Sequence, residues 1–303
     1  MKRPSLLACV LTLLVISLPA QSLSGSTRQA QYTKATAEWN QPVKPFRMIG
    51  NIYYVGASEV SSFLITTPNG HILLDSGFAE TVPLIADGIK QLGFKLEDVK
   101  VLINSHAHYD HAAGLAQLKR LTGAQLMLSE PDAAMVANGG KGDFQWGDTL
   151  TYEPVMADRL LKDKDQVDLG GVTLIARLTP GHTRGCTTWL MKVTEGGKTY
   201  DVVLIGSTTA PGYTLYNNPK YPNIVSDYEY TFRLLRSLHC DVFLGPHGSF
   251  FHLKEKAGRL ARGERSNPFI EGRSYREFLD RTEKDFRDLL SKQKAQNSVK
   301  TMT

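Results

Sequence analysis

The sequence predicts an α/β protein built as a four-layer αββα sandwich, with two sheets packed face to face between outer helices. Two β-rich halves follow one another along the chain, and segments with helical spacing accompany each half. Three of the apolar strand-like segments end in a turn that contains histidine. We expect these turns to gather on one rim of the sandwich, where loops carry functional groups.

The first twenty residues are typical of a secretory signal peptide. A basic start, an apolar run from Leu6 to Leu18 and a small residue at Ala20 or Ser22 match its three regions. We therefore expect residues 1–20 to be removed and residues 21–303 to form a single domain built from the two β-rich halves. The mature protein is expected in the periplasm, without a membrane anchor.

In the first half, the Asn69-Gly70 pair inside an alternating apolar stretch predicts a hairpin. Helical spacing follows at 79–94, and the apolar run 99–105 predicts a buried strand that ends in a histidine-rich turn. A helix at 112–123, a strand at 124–129, a short helix at 130–140 and a long loop to about Asp168 complete this half.

The second half opens with a strand that ends at the "TPGHT" turn, followed by a hairpin that turns at Gly196-Gly197. A helix near 227–238 and the strand "DVFLGPH" come next. The last helix, near 274–291, has one apolar face. That face comprises Tyr275, Phe278, Leu279, Phe286 and Leu290.

Composition limits the partners that the protein can have. Apolar residues make up 42% of the 303 residues, which is enough for a sizeable core. The formal charge of +5 falls to +3 once Lys2 and Arg3 leave with the signal peptide. No basic run with interleaved aromatic residues is present, so we expect no nucleic-acid partner. Cys186 and Cys240 remain, and two buried thiols are favoured over a disulfide.

The segment His106-Ala-His108-Tyr-Asp110-His111 holds three of the eight histidines of the chain. Imidazole is the commonest protein ligand of zinc, and two imidazoles at positions i and i+2 of a turn can bind one ion. His182 and His247 also follow apolar strands. The predicted first site is His106, His108 and His182, which leaves an open fourth position. The predicted second site is Asp110, His111 and His247.

The other histidines are not expected to bind metal. His71 follows a turn and His239 lies at a helix end, so both are interpreted as structural or solvated. His252 stays undecided.

The HxHxDH pattern at the end of a strand, the later "PGHT" and "GPH" turns and the earlier "LLDSG" resemble the metallo-β-lactamase superfamily. Many of its hydrolases bridge their two metals with an aspartate at the end of a later strand. In this chain that strand ends in Gly206-Ser207. A serine here, with histidine completing the second site, resembles subclass B3 of the metallo-β-lactamases. One difference is that no cysteine follows Cys240, so a C-terminal disulfide found in many relatives should be absent.

The resemblance implies a zinc-dependent β-lactamase that holds two Zn²⁺ and opens the cyclic amide through a dizinc-bound hydroxide. It also implies catalytic roles for Asp110 and for Tyr213, which would stabilise the oxyanion. Ser207 and Thr209 would bind the substrate carboxylate.

Four further residues complete the predicted site. Trp39, Trp146 and Leu150 would form apolar walls for the substrate, and Asp75 would orient a ligand imidazole rather than bind metal. Two other hypotheses remain open. One is a hydrolase of the same fold that acts on lactones or thioesters, and the other is a zinc-binding protein without catalytic activity.

Overall fold

The computed structural model describes residues 25–300, so the predicted signal peptide lies outside the described residues. Over this range twelve strands and eight α-helices are formed. The strands are β1 (Phe46–Ile49), β2 (Ile52–Tyr54), β3 (Phe63–Thr67), β4 (Gly70–Leu74), β5 (Val99–Ile103), β6 (Gln125–Ser129), β7 (Arg159–Leu161), β8 (Gln166–Leu169), β9 (Val172–Leu178), β10 (Thr187–Glu195), β11 (Lys198–Leu204) and β12 (Val242–Leu244). The helices are α1 (Gly25–Ala35), α2 (Val82–Gln91), α3 (Tyr109–Ala112), α4 (Leu115–Thr122), α5 (Glu130–Ala137), α6 (Ile224–Arg236), α7 (Leu253–Ala261) and α8 (Arg273–Lys300).

Each half of the chain forms one sheet. Strands β1 to β7 make a seven-stranded sheet in chain order, and the five-stranded sheet has the order β12-β11-β10-β9-β8. The first sheet is antiparallel up to β4 and parallel from β4 to β7. In the second sheet β11 and β12 form a parallel pair beside three antiparallel strands.

Alternation along the strands separates two layers of core. Val101 and Ile103 of β5 belong to the core that also contains Trp189 of the second sheet. Leu102, which points to the opposite face, packs with Val82 and Ile85 of α2 in a separate core. Period-2 alternation therefore buries the first sheet on both faces, one against the second sheet and one against helices.

The second sheet is covered by α6 and α8. Tyr228 and Phe232 of α6 lie with their ring centroids 5.0 and 5.7 Å from that of Phe286 in α8. Phe278 of α8 contacts Phe243 of β12 at 5.4 Å. All five residues of the predicted apolar face of the last helix are buried. The predicted αββα sandwich is confirmed.

Several elements lie where the sequence predicts none, among them β1 and the four-residue α3. Strands β7 and β8 form inside the predicted loop to Asp168, where they are edge strands of three and four residues. Helix α1 is polar, and α7 buries only Leu253 and Lys256. The two strands are too short, and α1 too polar, to produce a clear periodic signal.

Both cysteines of the described chain are free thiols, Cys186 buried and Cys240 half-buried. No helix among residues 25–300 combines the length and the apolar character needed to cross a membrane.

Candidate metal centre

Three strand ends bring the site together. The segment His106 to His111 follows β5, His182 follows β9, and His247 follows β12. The turn before His182 requires glycine, because Gly181 has a φ of +132° and a Cβ at this position would lie 2.8 Å from the Tyr228 ring. The three turns meet on one rim, as the sequence predicts.

The first predicted ligand set is assembled. Nδ1 of His108 lies 3.1 Å from Nε2 of His182. The His106 ring centroid is 4.6 Å from that of His182 and 5.0 Å from that of His108. One nitrogen from each ring lies within 4.8 Å of the others, and all three residues are buried.

The second predicted set is equally compact. Nε2 of His111 lies 3.2 Å from Nε2 of His247 and 3.3 Å from Oδ2 of Asp110. The third side of the triangle, from Nε2 of His247 to Oδ2 of Asp110, is 3.5 Å. The His106 and His111 rings are 4.4 Å apart, so the two sets are adjacent.

These distances fit zinc. For Zn–N bonds of about 2.0 to 2.1 Å, tetrahedral geometry separates two ligand nitrogens by about 3.3 to 3.4 Å. The imidazole pairs at 3.1 and 3.2 Å approach this value. The lone pairs of two imidazole nitrogens at such distances repel one another unless a proton or a cation lies between them. Each ligand set contains one such pair, so the donors match two bound cations, one in each set.

The electrostatics also suit metal binding. Burial, together with the surrounding imidazoles, lowers the pKa of His106 and His182 well below the usual value. Burial and His111 lower the pKa of His247 to about 3. Burial opposes ionisation of Asp110, but His111 and His247 hold its pKa well below the usual range. At neutral pH His106, His182 and His247 are therefore neutral and Asp110 is a carboxylate, the forms that bind metal. Against burial, the Asp110 and Asp75 carboxylates raise the pKa of His111, so zinc binding there would displace a proton.

Asp75 lies behind both ligand sets. Its Oδ2 accepts a hydrogen bond from Oγ of Ser105 at 2.6 Å, and this hydroxyl lies 3.1 Å from Nδ1 of His106. The same carboxylate oxygen is 3.7 Å from Nδ1 of His111. Asp75 can thus orient one imidazole of each set, the position that the sequence predicts for it.

The remaining ligand imidazoles also face acceptors on their outer side. Nδ1 of His182 donates to the carbonyl of Thr209 at 2.7 Å. Nε2 of His108 is buried, has no hydrogen-bond partner and lies 3.6 Å from Oδ2 of Asp143. Nδ1 of His247 lies 3.8 Å from Oε1 of Glu59. Such outer partners fix the tautomer and orientation of a metal-binding histidine.

A cavity of about 350 Å³ opens onto the ligands. Its size is within the range of small-molecule sites. It is lined by Tyr32, Trp39, Glu59, His108, Asp110, Trp146, Leu150, His182, Thr209, Pro211, Tyr213, His247, Ser249 and Phe250.

The predicted substrate contacts divide into two groups. Trp39, Trp146, Leu150 and Thr209 line the cavity. Ser207 does not line it; this buried serine stands behind Thr209, with the two hydroxyl oxygens 3.2 Å apart.

Tyr213 lines the cavity, but its hydroxyl is already engaged. The phenol donates to the carbonyl of His182 at 2.9 Å, and burial raises its pKa well above the usual value. To donate to a substrate oxyanion, Tyr213 must exchange this hydrogen bond.

Sequence reasoning missed several residues around the centre. Asp143 and Glu59 are single acids in loops, with no spacing relative to the histidines that marks them. Tyr32 of α1 packs edge-on against Trp39 at 6.4 Å and Tyr109 at 6.1 Å, and so reaches the cavity from a predicted polar stretch. The one available signal was an aromatic residue within a polar stretch of the sequence.

The other histidines lie away from the centre. His71 is buried and packs edge-on against Phe94 at 5.0 Å, while His239 is exposed and 3.0 Å from Asp241. Asp201 joins His239 and Asp241 in a loose surface cluster, but its carboxylate is paired with Lys192 at 2.5 Å. His252 is exposed.

This fold and centre define a superfamily. A sequence profile of the metallo-beta-lactamase superfamily matches residues 55–247. The chain belongs to that superfamily.

Among solved structures, the FEZ-1 metallo-beta-lactamase from Legionella gormanii is 43% identical, with a TM-score of 0.82 over 84% of this chain and 98% of that one. BJP-1, a subclass B3 metallo-beta-lactamase of Bradyrhizobium japonicum, is 36% identical, with a TM-score of 0.81 over 86% and 98% of the two chains. The predicted resemblance to subclass B3 is confirmed.

Curated relatives include enzymes with other activities. The human persulfide dioxygenase ETHE1 is 31% identical over 127 residues, which span 42% of this chain and 41% of the relative. The N-acyl homoserine lactonase AttM from Agrobacterium fabrum is 30% identical over 165 residues, or 44% and 60% of the two chains. In both cases the match covers less than two thirds of the relative.

Proposed function

We propose that this protein is an exported, periplasmic, zinc-dependent β-lactamase that holds two zinc ions per chain. The observation that carries the proposal is the pair of adjacent ligand sets, with Ser207 rather than an aspartate after β11. The similarity to FEZ-1 over 98% of that enzyme supports the same conclusion.

When bound, the two ions would supply an activated water nucleophile and an electrophile for the amide carbonyl. His106, His108 and His182 would hold one ion, and Asp110, His111 and His247 the other. Their outer partners, Asp75 foremost, keep the imidazoles in fixed orientations, so the reacting groups need little reorganisation.

The lining of the cavity supports the proposal of a bicyclic anionic substrate. Trp39, Trp146 and Leu150 present apolar surface to the substrate side groups. Thr209, which also lines the cavity, offers a hydroxyl for the substrate carboxylate, and Ser207 orients that hydroxyl through their 3.2 Å contact. Tyr213 is placed to donate to the oxyanion once its bond to the His182 carbonyl is exchanged.

A second candidate function is hydrolysis of lactones or thioesters. The 30% identity with the lactonase AttM favours it. The serine after β11 disfavours it. Many lactone and thioester hydrolases of this fold have an aspartate at this position, where it bridges the two metal ions. The substrate assay below separates the two.

The first prediction concerns metal and substrate together. The purified mature chain should hydrolyse a carbapenem and a cephalosporin, lose this activity with a strong chelator, recover it with zinc and ignore serine-directed inhibitors. Absorbance at the β-lactam band measures the rates, and metal analysis gives the zinc content. Undiminished activity in protein shown to be free of zinc would contradict the metal mechanism. Turnover of lactones or thioesters without β-lactam turnover would select the second candidate.

The second prediction concerns Asp75, which should have opposite effects on stability and on metal binding. In the zinc-free protein burial raises the pKa of Asp75 from 3.8 to about 6, with His111 and Ser105 opposing the shift. Protonated Asp75 therefore contributes to the stability of the zinc-free fold. This contribution is fully present below a pH of about 4 and is lost as the pH rises through about 6. The ionised carboxylate then costs the zinc-free fold roughly 3 kcal/mol near neutral pH.

Asp75→Asn removes that charge and keeps the shape, and asparagine tolerates the left-handed backbone at this position, φ 63°. Near neutral pH the zinc-free variant should resist urea better than the wild type, and the difference should shrink as the pH falls through 6. Its zinc affinity should fall by about 10- to 100-fold. Stability and zinc affinity that move in the same direction would refute this account of Asp75.

A further inference from the structure

A carboxylate of α5 connects the two turns that carry the first ligand set. Oδ2 of Asp132 accepts a hydrogen bond from the backbone N–H of Ala107 at 2.9 Å and from the hydroxyl of Thr183 at 2.7 Å. Its Oδ1 accepts from the backbone N–H of Gly185 at 2.8 Å. Ala107 separates His106 from His108, and Thr183 follows His182, so one side chain holds both turns.

Both backbone polar groups of Ala107, the residue between the two histidines, are hydrogen-bonded. Its N–H donates to Asp132, and its carbonyl accepts a hydrogen bond from the Tyr152 hydroxyl at 2.6 Å. The two segments that carry the first ligand set are also joined directly by a backbone hydrogen bond. The Thr187 N–H donates to the carbonyl of Ser105, the residue before His106, at 2.8 Å. The orientation of the His106–His108 turn itself thus depends on Asp132 and Tyr152.

The second turn approaches Asp132 closely enough to require glycine. A Cβ on Gly185 would lie 2.5 Å from the backbone nitrogen and 2.7 Å from Cγ of Asp132. The hydroxyl of Ser129 donates to the Gly185 carbonyl at 2.6 Å, so both backbone polar groups of this glycine are hydrogen-bonded to side chains.

Asp132 is 3% exposed, and its three partners are neutral donors. The neighbouring cation, Arg184, is directed elsewhere, with its guanidinium 4.6 Å over the Tyr221 ring. A buried carboxylate that is not used in an ion pair is costly, so its three bonds call for an explanation other than charge neutralisation.

We propose that Asp132 is a positioning residue that fixes the distance between the His106–His108 turn and the His182 turn, and thereby sets the zinc affinity of the first site. The inference rests on the proposed zinc function. Asp132 acts through the backbone of Ala107 and Gly185 and contacts neither substrate nor metal.

The test measures zinc affinity rather than activity. Zinc-free wild type and Asp132→Asn are titrated with zinc against a chromophoric chelator, each also in a His247→Ala background in which only the first site is complete. Asparagine cannot accept at all three donors, so we expect the first-site Kd to rise by about 10- to 100-fold. The second-site Kd should change by less than about threefold, because its ligands are held by Asp75 and Glu59.

Matched variants separate positioning from general damage. Asp241→Asn alters a carboxylate that accepts the Asp201 N–H at 2.9 Å, at the end of β12 away from His247, and should leave both zinc constants unchanged. Thr183→Val removes one of the three donors and should raise the first-site Kd by about tenfold at most. Thr183→Ser keeps the hydroxyl and should restore it.

Each outcome decides the inference. If the wild type binds no zinc, the proposed function fails. If the wild type binds two ions and Asp132→Asn binds both with wild-type constants, the positioning role is refuted, even if the zinc-free variant unfolds at a lower temperature. Should Asp132→Asn not fold, the Thr183 pair decides: equal first-site constants in the valine and serine variants would overturn the proposal.

Discussion

His182→Ala should lower the rate of β-lactam hydrolysis by more than about 100-fold. Removing a residue that only hydrogen-bonds to a metal ligand usually costs about 10- to 100-fold, and removing the ligand itself should cost more. His182 supplies Nε2 to the first ligand set, 3.1 Å from Nδ1 of His108. Without it, two imidazoles remain for that ion, and water enters the vacated position. The carbonyl of Thr209 also loses one of its two donors and keeps the Tyr228 hydroxyl at 2.6 Å, so the wall of the cavity is altered together with the metal site.

Two other histidines provide controls. His239→Ala changes an exposed side chain whose partner is Asp241, and kcat/KM should stay within about twofold of wild type. His71→Ala removes a buried ring from its contact with Phe94, which should lower the unfolding temperature but not kcat/KM measured below it. Steady-state rates, zinc content and thermal unfolding are compared for all three variants. Equal losses of kcat/KM would show that the metal ligands are wrongly assigned.

The histidine positions were predictable because two independent signals coincide at each. An apolar run predicts the strand, and an imidazole directly after it predicts a functional rim. His106, His182 and His247 all satisfy both conditions and meet in the structure. The fold followed from the same signals, since the alternation in β5 and the apolar face of α8 are both strong.

The residues behind the ligands could not be found in this way. Asp132 lies 25 positions from Ala107 and 53 from Gly185, and only the packing of α5 against both turns gives it three donors. Asp143 and Glu59 likewise reach His108 and His247 across loops. A single acid in a polar segment looks like any solvated carboxylate until the fold excludes water from it.

Helix α1 was not predicted from the sequence for a different reason. Its sequence is polar, and it is anchored by few contacts, among them the Gln29 side chain donating to the Thr151 carbonyl at 2.9 Å. Its position over the cavity is therefore a property of tertiary packing rather than of helix propensity. Tyr32 and the predicted ligand Asp110 line the same cavity, and burial together with this carboxylate raises the pKa of Tyr32.

Ser207 distinguishes this chain from hydrolases with a bridging aspartate, and changing it to alanine should have a small effect. Its hydroxyl lies 3.2 Å from that of Thr209 and accepts the Thr209 N–H at 3.3 Å. Loss of these neutral hydrogen bonds costs roughly 0.5 to 1.5 kcal/mol, so kcat/KM should fall by about tenfold at most. Two zinc ions per chain should be retained. Loss of one ion from Ser207→Ala would mean that this serine is itself a ligand.

Ser207→Asp should have a far larger effect, because it introduces a carboxylate beside Thr209 at the wall proposed to receive the substrate carboxylate. Like charges placed together cost several kcal/mol, and each 1.4 kcal/mol is about tenfold, so kcat/KM for a carbapenem should fall by about two orders of magnitude or more. None of the six proposed zinc ligands is altered, so two zinc ions per chain should be retained. Ser207→Asn, which has the same size without the charge, is the matched control and should lose less activity. A carbapenem kcat/KM equal to wild type in Ser207→Asp would show that the substrate carboxylate does not approach Thr209, and the substrate orientation proposed above would then have to be reversed.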